Sequence, residues 1–246
     1  MKLSIITITF NRCDTLGDTI ESVLAQTVPV EHIIVDGGST DGTMDLVQSY
    51  GNKIAKVISG PDKGIYDAMN KGIQLASGDV VGILNADDFY KHNRILERVL
   101  TTFEEEEVDS VYGDLEYVDP DRTEKVVRTW HSGHFKHSDF RMGWMPPHPS
   151  FFVKKNMYDR YGLYSIQFAS AGDYEMMVRL LYKHRISAAY IPEVLVRMRT
   201  GGISNRSIWH RLAANAEDRK AWKVNGLKMP FYTTILKPLR KVGQFF

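Results

Sequence analysis

Two adjacent carboxylates, Asp87 and Asp88, follow the run Val80-Val81-Gly82-Ile83-Leu84 and its short continuation Asn85-Ala86. Five apolar or glycine residues in a row read as a strand buried on both faces. Two acids side by side at its end repel each other and lose hydration. A divalent cation removes both costs. Mg²⁺ and Mn²⁺ take oxygen ligands, often one or two carboxylates plus the phosphates of a substrate. A metal held by Asp87 and Asp88 would neutralise a diphosphate leaving group. Asp is also an ordinary turn residue, so the pair alone does not decide. The stretch Gly60-Pro61-Asp62-Lys63-Gly64 lacks the spacing of a Walker-type lysine loop, which argues against P-loop chemistry.

The elements that must carry these acids follow from periodicity. Residues 3–9 are rich in β-formers; Leu16, Ile20, Val23 and Leu24 then recur at helical spacing, with Asp14 as the expected N-cap. Residues 32–36 read as a second strand, followed by turn-rich 37–43 and a short helix through Met44, Leu46 and Val47. A third strand is expected at 54–58, a helical stripe through Ile65, Ala68, Met69, Ile73 and Ala76, and a fourth strand at 80–84. Helix 94–103 follows. Such alternation predicts a mostly parallel α/β sheet covered on both faces. Beyond 104 the spacing predicts strands at 110–118, 124–130, 186–191 and 194–199, a helix at 173–184 and a helical region at about 205–224. Residues 131–149, rich in His, Gly, Pro and aromatics, read as a long loop, a common home for function.

In open parallel sheets, ligands bind beyond the carboxyl ends of the strands. Thr9-Phe10-Asn11, the 36–41 segment and Asn85–Asp88 all fall at such ends, on one edge. That coincidence favours chemistry over a turn.

Composition sets bounds. With 246 residues, 43% apolar and 25% charged, the chain has the length and balance of one large globular domain or two closely packed ones. A net charge of +1 carries no nucleic-acid signature, although residues 206–246 hold a net +7 against −6 elsewhere. Cys13 is the only cysteine, so no intramolecular disulfide forms. Thr7 and Thr9 interrupt the apolar start, and no apolar run approaches the roughly 20 residues that span a bilayer. A cytoplasmic protein is expected.

Four stretches together carry a family resemblance: residues 3–12 (LSIITITFNR), 32–43 (HIIVDGGSTDGT), 60–88 (GPDKGIYDAMNKGIQLASGDVVGILNADD) and 170–180 (SAGDYEMMVRL). In this order the chain resembles the family 2 glycosyltransferases over roughly residues 1–200. The resemblance implies a GT-A-like α/β fold. A Rossmann-like nucleotide-sugar-binding half (1–104) would merge with an acceptor-binding and catalytic-base half (105–204), followed by a C-terminal basic amphipathic helical tail (205–246). It implies inverting transfer from a nucleotide sugar, a UDP-sugar being expected, to a hydroxyl of a glycan or lipid-linked acceptor in cell-surface polysaccharide synthesis. Donor contacts are then implied for Thr9, Asn11, Asp36, Gly38, Ser39, Lys63, Asn70, Asn85, Ala86 and Asp87. Asp87 and Asp88 would hold Mn²⁺ or Mg²⁺, and Asp173 would be the general base, within about 3 Å of the acceptor oxygen.

The departures from the family pattern are specific. Asp36-Gly37-Gly38-Ser39 stands where many relatives read Asp-Asp-Gly-Ser. Asn85 replaces the first acid of the DxD motif, Gly172 the usual Glu before the base, and Met69 the Arg of Ala-Arg-Asn. Lys63 or Lys71 is the candidate replacement cation.

Other residues admit two readings each. Asp173 near a helix N-terminus is favourable there by about 0.3–1 kcal/mol whatever its chemistry. His148 is either an acceptor or phosphate contact or a structural hydrogen bond; Trp144 stacks on a sugar or packs; Asp114 contacts the acceptor or ends a turn. The spacing of His131, His134 and His137 suits no common zinc pattern. In the tail, Phe231, Tyr232, Ile235, Leu236, Leu239, Val242 and Phe246 lie near helical spacing among Lys237, Arg240 and Lys241, with Pro238 expected to interrupt or kink the helix. Such a helix rests on anionic lipid or packs on the domain. Outside the transferases, a metal-dependent phosphohydrolase and a noncatalytic nucleotide-sugar-binding module also use clustered acids.

Overall fold

The alternation of buried runs and amphipathic stripes builds the N-terminal half of the computed structural model, which describes residues 1–201 and 208–240 (backbone alone for 208–214). Leu3–Thr9 (β1) is buried along its whole length, as a strand with helices on both faces must be. Leu16–Leu24 (α1), Val30–Asp36 (β2), Thr43–Ser49 (α2), Lys56–Ser59 (β3), Ile65–Leu75 (α3), Val80–Asn85 (β4), Asp88–Tyr90 (β5) and Ile95–Glu106 (α4) follow. Ser110–Val118 (β6), Val126–Trp130 (β7), Phe151–Lys154 (β8), Lys155–Tyr161 (α5), Gly172–Met177 (α6), Ala188–Arg199 (β9), Ile208–Val224 (α7) and Thr233–Arg240 (α8) come next among the described residues. A π-helical turn, Val178–Lys183, continues α6.

All nine strands share one sheet in the order β3-β2-β1-β4-β8-β6-β9-β5, with β7 alongside β6. The expected parallel order holds across β3-β2-β1-β4 and again for β6 with β9. Between them β8 runs antiparallel to both β4 and β6, so the sheet is mixed beyond β4. One core joins β1, β2 and β4 to α3 and α6 through Ile6, Ile33, Ile83, Met69, Tyr174 and Met177. The opposite face is closed by α4 through Ile95, Leu96, Val99 and Phe103.

Four local expectations are corrected. Thr15, not Asp14, is the N-cap of α1, because Thr15 and Leu16 close a backbone turn onto the Arg12 carbonyl. The stripe of α3 holds at Ala68, Met69, Ile73 and Ala76 but not at its first member: Ile65 is 45% exposed and Tyr66 is buried instead. The two strands expected at 186–191 and 194–199 are one strand. The register passes from Gly113↔Ile191 to Asp114↔Val194, so Pro192 and Glu193 bulge out where proline has no N–H to give. Pro238 lies inside α8 rather than ending it. Thr233 and Thr234, the first two residues of that helix, are buried, and Lys237 is paired with Asp218. The expected helical residues 205–207, together with Lys241, Val242 and Phe246, lie outside the described residues.

The start of β2 makes stability depend on pH. Burial alone would raise the Glu31 carboxyl, but Ser4, Ser77 and Lys56 all donate to it and hold it far below the usual carboxylate range. Burial pushes the neighbouring His32 imidazole down to about 4. Between about pH 6.5 and 4 the unfolded chain therefore binds a proton at His32 that the folded chain refuses. Stability falls over that window by about 3 kcal/mol. Below about pH 4.5 Glu31 adds a second loss, since its depressed pKa stabilises only above the unfolded value. Urea midpoints measured from pH 7 to 4 should fall steadily, and His32→Gln should flatten the upper part of that slope.

Candidate active site

The carboxyl ends of β1 and β2 meet in a hydrogen-bonded loop pair. Asp36, 1% exposed, accepts from the Gly38 N–H at 3.1 Å, the Ser39 N–H at 3.1 Å and the Ser59 hydroxyl at 2.6 Å, and also from the Ser39 hydroxyl. Its carboxylate is thus engaged in shaping the 37–39 turn, in which Gly38 takes φ +89°. Asn11 faces this turn: its N–H donates to Ser39 Oγ at 2.8 Å and its side-chain oxygen accepts from Thr40 N–H at 2.9 Å. Those two bonds hold Asn11 at φ 51°, a conformation Asn tolerates. The Thr9 hydroxyl is buried without a partner. Gly37 has a steric reason. A Cβ there would stand 2.9 Å from Asp62 Oδ2 and 3.4 Å from the Phe10 ring. Asp62 therefore fills the space that a side chain at 37 would need, beside a Phe10 that is 59% exposed.

At the end of β4, Asn85 Nδ2 donates to Asp88 Oδ2 at 2.8 Å, and the Thr19 hydroxyl binds the Asp88 carbonyl at 2.8 Å. Asp88 is fully buried and Ala86 nearly so, whereas Asp87 is half-buried. Burial, then the Asp87 charge, pushes the Asp88 carboxyl well above the usual range; the Asn85 bond and Arg199 act the other way without prevailing. Arg199, at the end of β9, donates to the Asp87 carbonyl at 3.0 Å and also grips Asp18. It adds a cation behind the acids that sequence spacing did not find.

Two oxygens here are orphaned: Asn85 Oδ1 and Asp88 Oδ1 are buried and accept nothing from the protein. With the half-exposed Asp87 they offer a hard, oxygen-only donor set, which fits Mg²⁺ or Mn²⁺. Among the described residues no three His, Cys, Asp or Glu side chains converge on one point. An ion at this edge would thus need substrate oxygens to complete its shell, as Mg²⁺ commonly does.

Asp173 stands half-buried in the first turn of α6. The Tyr66 hydroxyl donates to Asp173 Oδ1 at 3.3 Å, and the Tyr66 ring stacks on Tyr164 with centroids 5.9 Å apart. Tyr164 is held from both ends. Asn70 pairs with its backbone N–H and carbonyl at 2.9 and 2.8 Å, and its hydroxyl meets His148 Nε2 at 2.9 Å. Burial lowers the His148 pKa, opposed by the charge of Asp173. Glu217 of α7 accepts the N–H groups of Ala169, Ser170 and Ala171 at 2.8–2.9 Å, fixing the loop that delivers Asp173. Trp222, also on α7, donates to the Tyr174 hydroxyl at 2.9 Å. A cavity of about 260 Å³ opens beside Tyr66, lined by Lys63, Ile65, Ile166 and Phe168. Lys71 is engaged locally, with the Pro61 carbonyl at 3.0 Å and Asp67 at 3.3 Å.

One side chain on β6 feels the charge of both acids. The Tyr117 hydroxyl on β6 is raised chiefly by burial; Arg128, over its ring, opposes the rise, and the negative charges of Asp88 and Asp173 add to it. Asp114 and Trp144 are placed differently. Asp114, 4% exposed, accepts from His131 Nδ1, Ser132 N–H and the Tyr190 hydroxyl at 2.8–2.9 Å. Trp144, 5% exposed, is stacked on Phe135 and edge-on to Tyr112 and Phe140, with its indole N–H on the Ser132 carbonyl. Tyr66, Arg199 and Glu217 escaped the sequence reading. Tyr66 sits one residue off the assumed stripe of α3, and Arg199 and Glu217 act from far along the chain, where spacing carries no signal.

Known proteins resemble this chain over most of its length. The model of "Glycosyl transferase family 2" matches residues 4–171. A PGL/p-HBAD biosynthesis glycosyltransferase of Mycobacterium bovis (strain BCG / Pasteur 1173P2) is 28% identical over 212 residues, which is 82% of this chain and 78% of that protein. An uncharacterised glycosyltransferase of Mycobacterium tuberculosis (strain CDC 1551 / Oshkosh) is 33% identical over 181 residues, covering 72% of this chain and 68% of the other. Among solved structures, S. aureus TarS 1-349 in complex with UDP superposes with a TM-score of 0.70 at 17% identity, over 96% of this chain and 68% of that one. A Pyrobaculum calidifontis mannosyltransferase in complex with GDP-Man and Mn²⁺ gives 0.64 at 16% identity, over 97% and 69%. A longer S. aureus TarS chain is covered over 39% of its length. At these identities the shared property is the fold, that of the GT-A glycosyltransferases.

Proposed function

Because this chain belongs to glycosyl transferase family 2 and is a glycosyltransferase, we propose that it transfers a sugar with inversion from a UDP-sugar to a hydroxyl of a glycan or lipid-linked acceptor, in building a cell-surface polysaccharide. The observation that carries this reading is the pair of buried, unpartnered oxygens, Asn85 Oδ1 and Asp88 Oδ1, beside the half-exposed Asp87 at the end of β4; the charges of Asp88 and Asp173 both raise the Tyr117 hydroxyl. UDP in a TarS complex and Mn²⁺ in a mannosyltransferase complex support the donor and ion classes.

The roles divide by position. Thr9, Asn11, Asp36, Gly38 and Ser39 shape the nucleoside end, and Lys63, Asn70, Asn85 and Ala86 border the diphosphate and sugar. Asp87, with Asp88 behind it, would hold Mn²⁺ or Mg²⁺, which supplies positive charge to a departing diphosphate. Asp173 takes the proton of the acceptor hydroxyl as that oxygen bonds to C1 of the sugar. The bond from C1 to the diphosphate breaks, and its electron pair leaves with the nucleotide. Attack from the face opposite the leaving group inverts C1. His148 borders the acceptor, and Asp114 and Trp144 brace the wall behind it.

The tail completes the proposal. Phe231, Ile235 and Leu239 stand 57–81% exposed at four-residue spacing, with Lys228 and Arg240 also exposed. This face suits an anionic membrane surface carrying a lipid-linked acceptor, at the inner side of a membrane. No helix among the described residues is long and apolar enough to cross one.

Incubation with a panel of UDP-sugars and Mn²⁺ tests the reading. A transferase releases UDP mainly when a glycan or glycolipid acceptor is added. Equal release without acceptor would identify a phosphohydrolase, and binding without release in either case a noncatalytic module.

A further inference from the structure

A glycine stands immediately before Asp173, and the space around it is already taken. A Cβ built on Gly172 would lie 2.7–2.8 Å from three ring atoms of Tyr66, closer than real side chains approach. The same ring is 6% exposed and stacked on Tyr164, so it has nowhere to retreat. Its hydroxyl reaches Asp173 Oδ1 at 3.3 Å. We propose that Tyr66 is the positioning residue for Asp173: its hydroxyl holds one carboxylate oxygen, leaving the other to take the acceptor proton, and Gly172 is bare because the ring occupies its side-chain space.

The inference rests on Asp173 being the base, and adds to that reading a residue from a distant helix that aims it. Burial, then the Asp173 charge, keeps the Tyr66 hydroxyl protonated far above its ordinary range, so it stays a donor. The other titratable groups around Asp173 are His148 and Tyr164 across the wall and Tyr117 on β6. None of these three donates a hydrogen bond to Asp173, so Tyr66 is the group whose removal should be felt directly. A donor to a carboxylate favours its charged form, and losing that donor favours the protonated one.

The test reads the contact without any acceptor. Protein labelled with [γ-¹³C]Asp is titrated by NMR, and the Asp173 signal is assigned by its loss in Asp173→Asn. Tyr66→Phe, which keeps the ring and its packing, should move the Asp173 titration to higher pH by about half a unit to one unit. Gly172→Ala, which keeps the hydroxyl group but displaces the ring that carries it, should move it the same way. The double variant should show little further change, because both substitutions break one contact. An unchanged titration in Tyr66→Phe overturns the hydroxyl's role, and an unchanged one in Gly172→Ala overturns the steric half. Turnover of a UDP-sugar with octyl glucoside as acceptor probe separates the layers. Full activity of Asp173→Asn would remove the base, whereas loss there with normal activity and titration in Tyr66→Phe would remove only Tyr66.

Discussion

Asp173→Asn should still bind UDP in the presence of Mn²⁺ and should fail to transfer sugar. Turnover is expected to fall by about 10²–10⁴-fold, the range that a positioned general base supplies. The amide is nearly the same size as the carboxylate and still accepts the Tyr66 hydroxyl, so the wall formed by Tyr66, Tyr164 and His148 stays in place. The proposed nucleoside end lies on β1 and β2, elements the substitution does not touch. Calorimetry should therefore return a UDP affinity within about twofold of the parent, beside an acceptor-dependent UDP release close to background. Turnover that survives the change would move the proton-accepting role to another group. Joint loss of binding and turnover would mean that Asp173 supports the donor pocket instead.

The second large effect is expected at Asp87. Its carboxylate is half-buried at the strand end, while Asp88 is sealed behind it. Asp87→Ala removes the proposed accessible ligand of the cation and leaves the buried hydrogen bond between Asn85 and Asp88 intact. A divalent ion stabilises a departing diphosphate by several kcal/mol, so kcat/KM should drop by about 10³-fold or more. The thermal shift produced by UDP with Mn²⁺ should shrink to that produced by UDP alone, since a ligand stabilises only as far as it binds the folded state. An undiminished Mn²⁺-dependent shift would place the ion elsewhere. Asp88→Ala is a poorer probe, because its side chain is wholly interior and its loss opens a cavity as well.

The part of this protein legible in its sequence is the part governed by local pattern. β4 announces itself through Val80–Leu84 because a strand covered on both faces has no polar alternation to confuse it. The strand-end acids follow, since a sheet of this kind gathers its polar ends on one edge. What escaped depends on long-range contact. β5 is three residues long, too short to show a period, and exists because Met198, Arg197 and Val196 of β9 pair with it. Tyr66 and Ile65 are indistinguishable by apolar spacing, and only the packed ring shows which one turns inward. Pro192 reads as a break, although the chain treats it as a bulge within a single strand. Trp144 has the same sequence signature whether it lies against a sugar or against Phe135 and Phe140.

Glu217 carries one more implication, for chimaeras between relatives. Its carboxylate ties a C-terminal helix to the three amides just ahead of Asp173, so residues 169–171 and 217 form a lock whose halves lie 46 to 48 positions apart. A domain swap that exchanges the C-terminal helices and keeps the donor half would separate bolt from catch. A crossover placed upstream of 169 transplants both together; one placed between 171 and 217 inherits whichever mismatch the two parents happen to have.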